Sequence, residues 1–205
     1  PFARGRIFLE QEIDTGQYNE VKNIFWASGT AILVRKNLFE QVEKFDETFF
    51  AHMEEIDLCW RFYMLGYSVL SEPSSIVYHK NAITLPMYSL KKYYLNHRNS
   101  LYMLCSNYSI PLTVYLLPIR ITLDVIAFFY AMSKLDWKHM TAIVMAIFWL
   151  ISHPHLIFKK RRKNKHIKSV RDRDIIKNMF RGSIVLVYYI LRKKTYREIV
   201  TNAES

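Results

Sequence analysis

The order of apolar and polar residues in the first ninety positions predicts alternating strands and helices. In IFWASGTAILVRK, residues 24–36, a glycine turn precedes the short apolar run AILV, which predicts a buried strand. Asn37 stands in N-cap position with Glu40 three residues later, which predicts a short helix over NLFEQVEKF. Farther on, SVLSEPSSIVYH predicts two short strands joined by a turn at its Glu-Pro step. Together these elements predict an α/β unit over residues 1–90.

Between these elements lies FFAHMEEIDLCWR, residues 49–61, in which three acids follow a group of aromatic residues. A helix turns by about 100° per residue, so Glu54, Asp57 and Arg61 fall on one polar side. Because Asp57 and Arg61 are four positions apart, they predict a structural ion pair on that exposed side. Glu55 falls on the apolar arc of the same helix, and solvent exposure does not explain it.

Residues 91–205 change to long helical patterns, which predict a mainly α-helical second region. The apolar segment TVYLLPIRITLDVIAFFYAM is interrupted by Pro118, Arg120 and Asp124, and MTAIVMAIFWLI is uncharged but short. A membrane-spanning helix needs roughly 20 apolar residues, so neither segment predicts an uninterrupted span. Helices that lie along a membrane surface fit this pattern better.

The net charge of +11 is distributed unevenly between the two regions. Residues 1–90 carry 8 Lys and Arg against 12 Asp and Glu, whereas residues 91–205 carry 21 against 6. Nine of those basic residues lie in KKRRKNKHIKSVRDR, residues 159–173, between two apolar runs. A solvated linker is one explanation, but the apolar neighbours favour an anionic membrane surface, where each charge contributes around 1 kcal/mol. A nucleic-acid partner is not expected, because its stacking platform is not part of this pattern.

The cysteine count indicates the redox compartment, and the first residues indicate whether a longer protein is expected. Cys59 and Cys105 are too few for a disulfide framework and lack metal-ligand spacing, so a reducing compartment is expected. Cys59 falls inside the acidic helix, where a small buried hydrophobe is expected. The beginning, PFARGRIFLE, has neither an initiator Met nor a secretory signal pattern. We therefore expect a piece of a longer protein.

Six short motifs follow one another in the first half of the chain. The first three are an Ala-Ser-Gly turn (Ala27–Gly29), Phe-Asp-Glu (Phe45–Glu47) and an acidic pair followed by Ile-Asp-Leu-Cys-x-Arg (Glu54–Arg61). The last three are Gly-Tyr (Gly66–Tyr67), Val-Tyr-His (Val77–His79) and a later Arg-Asn pair (Arg98–Asn99). In order and spacing they resemble the second half of the catalytic domain in family 2 inverting glycosyltransferases, the bacterial GT-A-fold enzymes similar to rhamnosyltransferases. The resemblance implies that residues 1–90 are the C-terminal half of a GT-A-type domain, on the acceptor and base side. Residues 91–205 would then be a helical, basic, membrane-associated tail.

The resemblance also implies roles for individual residues. The second acid of the pair is the general base in this family, so that role falls on Glu55, and Glu54 is expected to orient the substrate. Ser28 and Gly29 are expected to contact the acceptor, although a tight turn also explains them. Trp26 would stack on a sugar ring, or it would fill the core.

Two further residues are expected near the donor. His79 would lie close to the donor phosphates or to a metal ion, or it is an ordinary histidine at a strand end. Arg98 would neutralise phosphate, or it would lie along an amphipathic helix. In this family the nucleotide-binding half and its metal-holding Asp-x-Asp come earlier in the chain. A Mg or Mn ion is therefore expected in the intact enzyme with its main ligands outside this sequence, and this piece alone is expected to be inactive.

The sequence departs from the family pattern at three places. Glu55 stands where most relatives have Asp, which shifts the carboxylate by one methylene. Glu43-Lys44 replaces a Gly-Gly pair, and Lys80-Asn81-Ala82 replaces glycines that follow Tyr-His.

The sequence thus predicts a glycosyltransferase that moves a sugar, with inversion, from a nucleotide-sugar donor to a lipid-linked or nascent glycan acceptor. The expected location is the cytoplasmic face of the cell membrane, where an anionic surface is a further partner. The alternative is a non-catalytic membrane-bound interaction module derived from the same fold.

Overall fold

The computed structural model describes residues 13, 15–78, 86, 88–180, 182, 184–195 and 198–199. In this part of the chain the regular elements are a 3₁₀ turn at Glu47–Phe49 and eight α-helices. They are α1 (Lys36–Gln41), α2 (Glu54–Met64), α3 (Leu90–Asn107), α4 (Ile110–Ser133), α5 (Trp137–Ser152), α6 (Pro154–Ile167), α7 (Asp172–Ile176) and α8 (Ile184–Tyr189).

The α/β fold predicted for residues 1–90, and with it the GT-A-type half-domain, is wrong, because the described residues contain helices and no strand. The AILV run forms no regular element and pairs with no strand in the described part of the chain, and its Leu33 side chain is fully exposed. The strands predicted around the Glu-Pro turn contribute one isolated antiparallel bridge, between Asn23 and Leu70. A strand needs a neighbour to complete its backbone hydrogen bonds, and one bridge does not build a sheet.

Helix α1 confirms the helix predicted after the AILV run, but it begins at Lys36, so the predicted N-cap Asn37 lies inside it. The chain leaves this helix through Glu43 and Lys44, whose φ angles are 61° and 62°. These left-handed angles favour glycine, and the residues stand where the resembled family carries Gly-Gly. Arg61 holds the turn by donating from Nη1 to the Lys44 carbonyl at 2.7 Å.

Helix α2 is buried on almost all sides and lacks the exposed polar side that its spacing predicted. Asp57 and Arg61 are 0% and 4% exposed. The helix packs against α3, α6 and α7. Its Trp60 ring lies edge-on to Phe25 and Tyr108, with ring centres 5.5 Å and 4.6 Å apart. The polar residues of α2 are therefore held inside the molecule and need partners there.

Helices α3, α4 and α5 pack around a buried polar cluster. His97 Nδ1 lies 2.8 Å from an Asp124 carboxylate oxygen, and His97 Nε2 lies 3.0 Å from His139 Nε2. Arg120 forms an ion pair with the same aspartate. The two charges that interrupt α4 in the sequence therefore pair with each other inside the protein.

Among the described residues, α4 is long and apolar enough to cross a membrane, judged by length and composition alone. It has 24 residues, and 17% of its apolar window is buried in the protein. Helices α5 and α6 pass the same test as a pair bent by 69°. The two charges that interrupt α4, Arg120 and Asp124, are 4% and 1% exposed and lie inside the protein.

Candidate functional site

The acidic pair predicted to carry the chemistry stands in the first turn of α2. Glu55 is buried and faces the glycine turn, because a β-carbon added at Gly29 would lie 3.7 Å from the Cβ of Glu55. Glu54 is half-buried, and its Oε2 atom has no hydrogen-bond partner in the described part of the chain. The structure therefore places Glu55 next to Gly29 and leaves one oxygen of Glu54 unsatisfied.

Local contacts shape the turn opposite Glu55. Ser28 Oγ donates to Thr30 Oγ1 at 3.1 Å and accepts from the Thr30 N–H at 3.3 Å. Trp26 is half-buried against the core cluster that surrounds α2. These contacts fit the tight-turn and core-filling explanations, and the roles of Ser28 and Trp26 toward a substrate stay predictions.

Arg98 is occupied by backbone contacts in the loop before α2. Its Nη2 donates to the carbonyl oxygens of Thr48 and Phe49 at 2.7 Å and 2.9 Å. The guanidinium also lies 5.0 Å from the ring centre of Trp149. The side chain therefore ties α3 to this loop, and its contact with a donor phosphate stays a prediction.

The described residues contain no set of side chains placed to bind a metal ion. His79 lies outside them, and they contain no group of three or more His, Cys, Asp or Glu side chains placed to hold an ion. One Asp-x-Asp triplet does occur, Asp172-Arg173-Asp174 at the start of α7. Its carboxylates are ion-paired with Lys168 and Lys177. The residues described here therefore do not fit the expected Mg or Mn ion.

A second set of charged residues surrounds Asp57 and was missed by sequence reasoning. Lys160 of α6 is 4% exposed, and its Nζ lies 2.7 Å from Asp46 and 2.9 Å from the Asp57 carboxylate. Arg61 Nε and Asn107 Nδ2 donate to the same carboxylate, each at 2.9 Å. The predicted pair of Asp57 with Arg61 is confirmed, but it belongs to a buried network.

Lys160 belongs to the basic run predicted for a membrane surface. Its partners Asp57 and Asp46 lie 103 and 114 positions away, so no local pattern marks it. The one sequence feature that points to this contact is the opposite net charge of residues 1–90 and 91–205, which predicts attraction between the two regions. Helix α6 therefore docks on the acidic region through a buried lysine.

The network lowers the pKa of both aspartates. Burial by itself would raise the pKa of Asp46, but the charge and hydrogen bond of Lys160, with hydrogen bonds from Thr48, lower it to about 2. Burial likewise opposes ionisation of Asp57, and the charges of Lys160 and Arg61 outweigh it, so the pKa of Asp57 is also lowered. Both carboxylates are ionised at neutral pH and are poor proton acceptors.

Acid should destabilise the protein through Asp46. Its pKa is about 2 in the folded state against an ordinary 3.8, so the unfolded chain binds the proton more readily. The stabilisation is fully present above about pH 5 and is lost as the pH falls from about 4 toward 2. At about 1.4 kcal/mol per pKa unit, it amounts to at most roughly 2.5 kcal/mol. Urea unfolding of the parent and of Asp46→Asn at several acid pH values checks this, and equal pH slopes in both would contradict it.

Comparison with known proteins gives a partial match to two curated proteins. A stretch of 57 residues is 42% identical to the N-acetylglucosaminyl-diphospho-decaprenol L-rhamnosyltransferase of Mycobacterium tuberculosis, in strains CDC 1551 / Oshkosh and ATCC 25618 / H37Rv. The match covers 28% of this chain and 19% of the relative, so the chain matches about a fifth of the length of those curated proteins. No family model matches, and no solved structure is significantly similar. The chain is therefore related to a glycosyltransferase over a limited stretch.

Proposed function

We propose that the full-length protein is an inverting glycosyltransferase of the family 2 type. It transfers a sugar from a nucleotide-sugar donor to a lipid-linked or nascent glycan acceptor. The observation that carries this proposal is the 57-residue stretch with 42% identity to a rhamnosyltransferase. The name of that relative specifies a sugar on a lipid diphosphate, which makes this class of acceptor the first to test.

Glu55 is the general base of the proposed reaction. Its carboxylate takes the proton from the acceptor hydroxyl while the hydroxyl oxygen attacks the anomeric carbon of the donor sugar. A new carbon–oxygen bond forms on one face, and the bond to the nucleotide diphosphate breaks on the other, with its electron pair leaving on the phosphate. One displacement of this kind inverts the configuration at that carbon.

The surroundings of the acids support the choice of Glu55. Asp57, two positions later, is held by Lys160, Arg61 and Asn107, which favours its charged form. Glu55 lies beside the Gly29 turn, where the missing side chain lets a ligand approach the backbone. The unsatisfied oxygen of Glu54 is a candidate acceptor for a substrate hydroxyl. The donor diphosphate and its Mg or Mn ion would be held by residues outside the described part of the chain.

We also propose that helices α4 and α5 attach the protein to the cytoplasmic face of a membrane. Both helices expose many large apolar side chains, among them Ile110, Val114, Ile126, Phe129, Trp137, Val144, Phe148 and Ile151. Exposed apolar area of this extent marks an interaction surface. Exposed basic residues of the 159–173 run supply attraction to anionic headgroups.

Binding to anionic vesicles should depend on these apolar side chains. Phe148 is 70% exposed, so Phe148→Asp should lower vesicle affinity at least about tenfold, because an apolar ring contributes about 1.5–3 kcal/mol when it leaves water. Leu33→Asp is the matched control, since Leu33 is exposed but lies in the acidic region. Sedimentation with vesicles of graded anionic content measures both. Equal losses, or no loss, would contradict the proposed surface.

Sugar transfer itself is tested with the full-length protein. A panel of nucleotide sugars, including nucleotide-activated L-rhamnose, is incubated with a synthetic N-acetylglucosaminyl-diphospho-lipid and with Mg²⁺ or Mn²⁺. The proposal predicts a glycosylated lipid as product. Vesicle binding without transfer from any donor would favour the alternative, a non-catalytic membrane-bound module.

A further inference from the structure

The loop that leads into α2 has a strained backbone. Phe50, His52 and Met53 have φ angles of 61°, 68° and 71°, although none of them is glycine. The Ala51 N–H donates to the Phe49 carbonyl at 2.7 Å, which closes a tight three-residue turn around Phe50. Such turns with positive φ are rare, because a side chain at the central residue is sterically strained there. A loop of this shape persists when contacts from elsewhere hold it.

Two adjacent side chains of α3 supply those contacts. Asn99 is fully buried, and its Nδ2, which carries two N–H donors, lies 3.0 Å, 2.8 Å and 2.7 Å from the carbonyl oxygens of Phe49, Ala51 and His52. Arg98 bonds the carbonyls of the preceding residues, as described above. These groups lie about fifty positions away in sequence, so the loop is held by tertiary structure.

The orientation of the Asn99 amide is itself fixed. Arg98 Nε donates to Asn99 Oδ1 at 2.8 Å, which turns the amide nitrogen toward the loop. Arg98 is in turn packed against Trp149 of α5, the helix that makes the most extensive contact with α3. The two side chains therefore form a rigid support rather than a mobile surface pair.

From this geometry we infer that Arg98 and Asn99 are positioning residues for the acidic pair. The strained loop ends at Met53, which is the N-cap of α2, and Glu54 and Glu55 follow at once. If the hydrogen bonds to the loop carbonyls are lost, Phe50, His52 and Met53 relax toward ordinary φ angles, and the first turn of α2 moves with them. Displacements of about 1 Å at a catalytic group cost large factors in rate. The catalytic part of this inference rests on the proposed function, whereas the support of the loop does not.

Hydrogen exchange of the full-length protein tests the support directly. Asn99→Asp keeps the shape of the side chain but removes its donors, and Asn96→Asp is the same change on the same helix. We expect amides of residues 50–55 to exchange at least about tenfold faster in Asn99→Asp, with α5 unchanged. Arg98→Lys should give a smaller increase in the exchange rate, because it keeps the charge but loses the paired N–H donors. It is the variant to measure if Asn99→Asp folds poorly. Equal exchange in Asn99→Asp, Arg98→Lys and Asn96→Asp would overturn the inference.

A rescue experiment separates positioning from general stability. Glycine adopts the φ of Phe50 without strain, so Phe50→Gly added to Asn99→Asp should restore slow exchange and at least part of the lost kcat. Phe50→Ala removes the same ring but keeps the strain, and it should restore neither. We expect kcat in Asn99→Asp to fall at least about tenfold while KM for the donor changes little. If each Phe50 change instead adds its own loss of kcat and of exchange protection to that of Asn99→Asp, the inference that Asn99 is a positioning residue is overturned. If the parent protein transfers no sugar but hydrogen exchange is still faster in Asn99→Asp, the proposed function is contradicted and the support of the loop is not.

Discussion

Replacing Glu55 by glutamine in the full-length protein should lower kcat for sugar transfer by about 10²- to 10⁴-fold, the usual effect of losing a general base. Glutamine keeps the size of the side chain and still accepts a hydrogen bond, but it does not take up a proton at neutral pH. The buried position beside Gly29 should tolerate this isosteric change. Folding and donor affinity should therefore stay close to those of the parent.

The measurement combines turnover at saturating substrates, donor titration and the melting temperature. Glu54→Gln is the matched control, because it makes the same change one residue earlier in the same helix turn. We expect it to raise KM for the acceptor more than it lowers kcat, since its proposed role is orientation. If Glu55→Gln retains more than about a tenth of the parent activity, another residue is the base.

Replacing Lys160 by methionine should destabilise the protein by about 3–5 kcal/mol, because it leaves the fully buried Asp57 and the half-buried Asp46 without their shared cation. For a protein of this size, that corresponds to a fall in Tm of roughly 6–20 °C. Lys159→Met is the matched control. Lys159 is the exposed neighbour on the same helix, and a surface change of this kind stays within about 0.5 kcal/mol.

Thermal and urea unfolding of the two variants distinguish a buried network from a basic surface. Similar small effects in both would mean that Lys160 is one more surface charge and that α6 does not depend on the acidic region. Asp57→Asn should also lose more than the roughly 0.3–0.5 kcal/mol typical of an exposed helix pair, because its partners are buried.

Some features of the site were accessible from helix geometry alone. Spacing placed Glu55 on the apolar arc of its helix, and the structure finds it buried. The prediction that Cys59 is a small buried residue is confirmed as well. Both conclusions depend on neighbours within one or two helix turns. Local periodicity carries that information.

Other features depend on contacts that a local pattern does not contain. The polar side of α2 would face solvent on a surface helix, but α6 brings Lys160 to Asp57 from 103 positions away. The AILV run fits a strand by composition, yet a strand also requires a neighbour, and no local pattern reveals whether one is present. The support given to the loop before α2 by Asn99 is equally distant in sequence.

The configuration of the newly formed glycosidic linkage tests the central claim most directly. The product made by the full-length protein from a nucleotide sugar and a lipid-diphosphate sugar is isolated, and its anomeric configuration is determined by NMR against that of the donor. One displacement assisted by the Glu55 carboxylate predicts an inverted linkage. Retention of configuration, or the absence of any transferred sugar, would contradict the account.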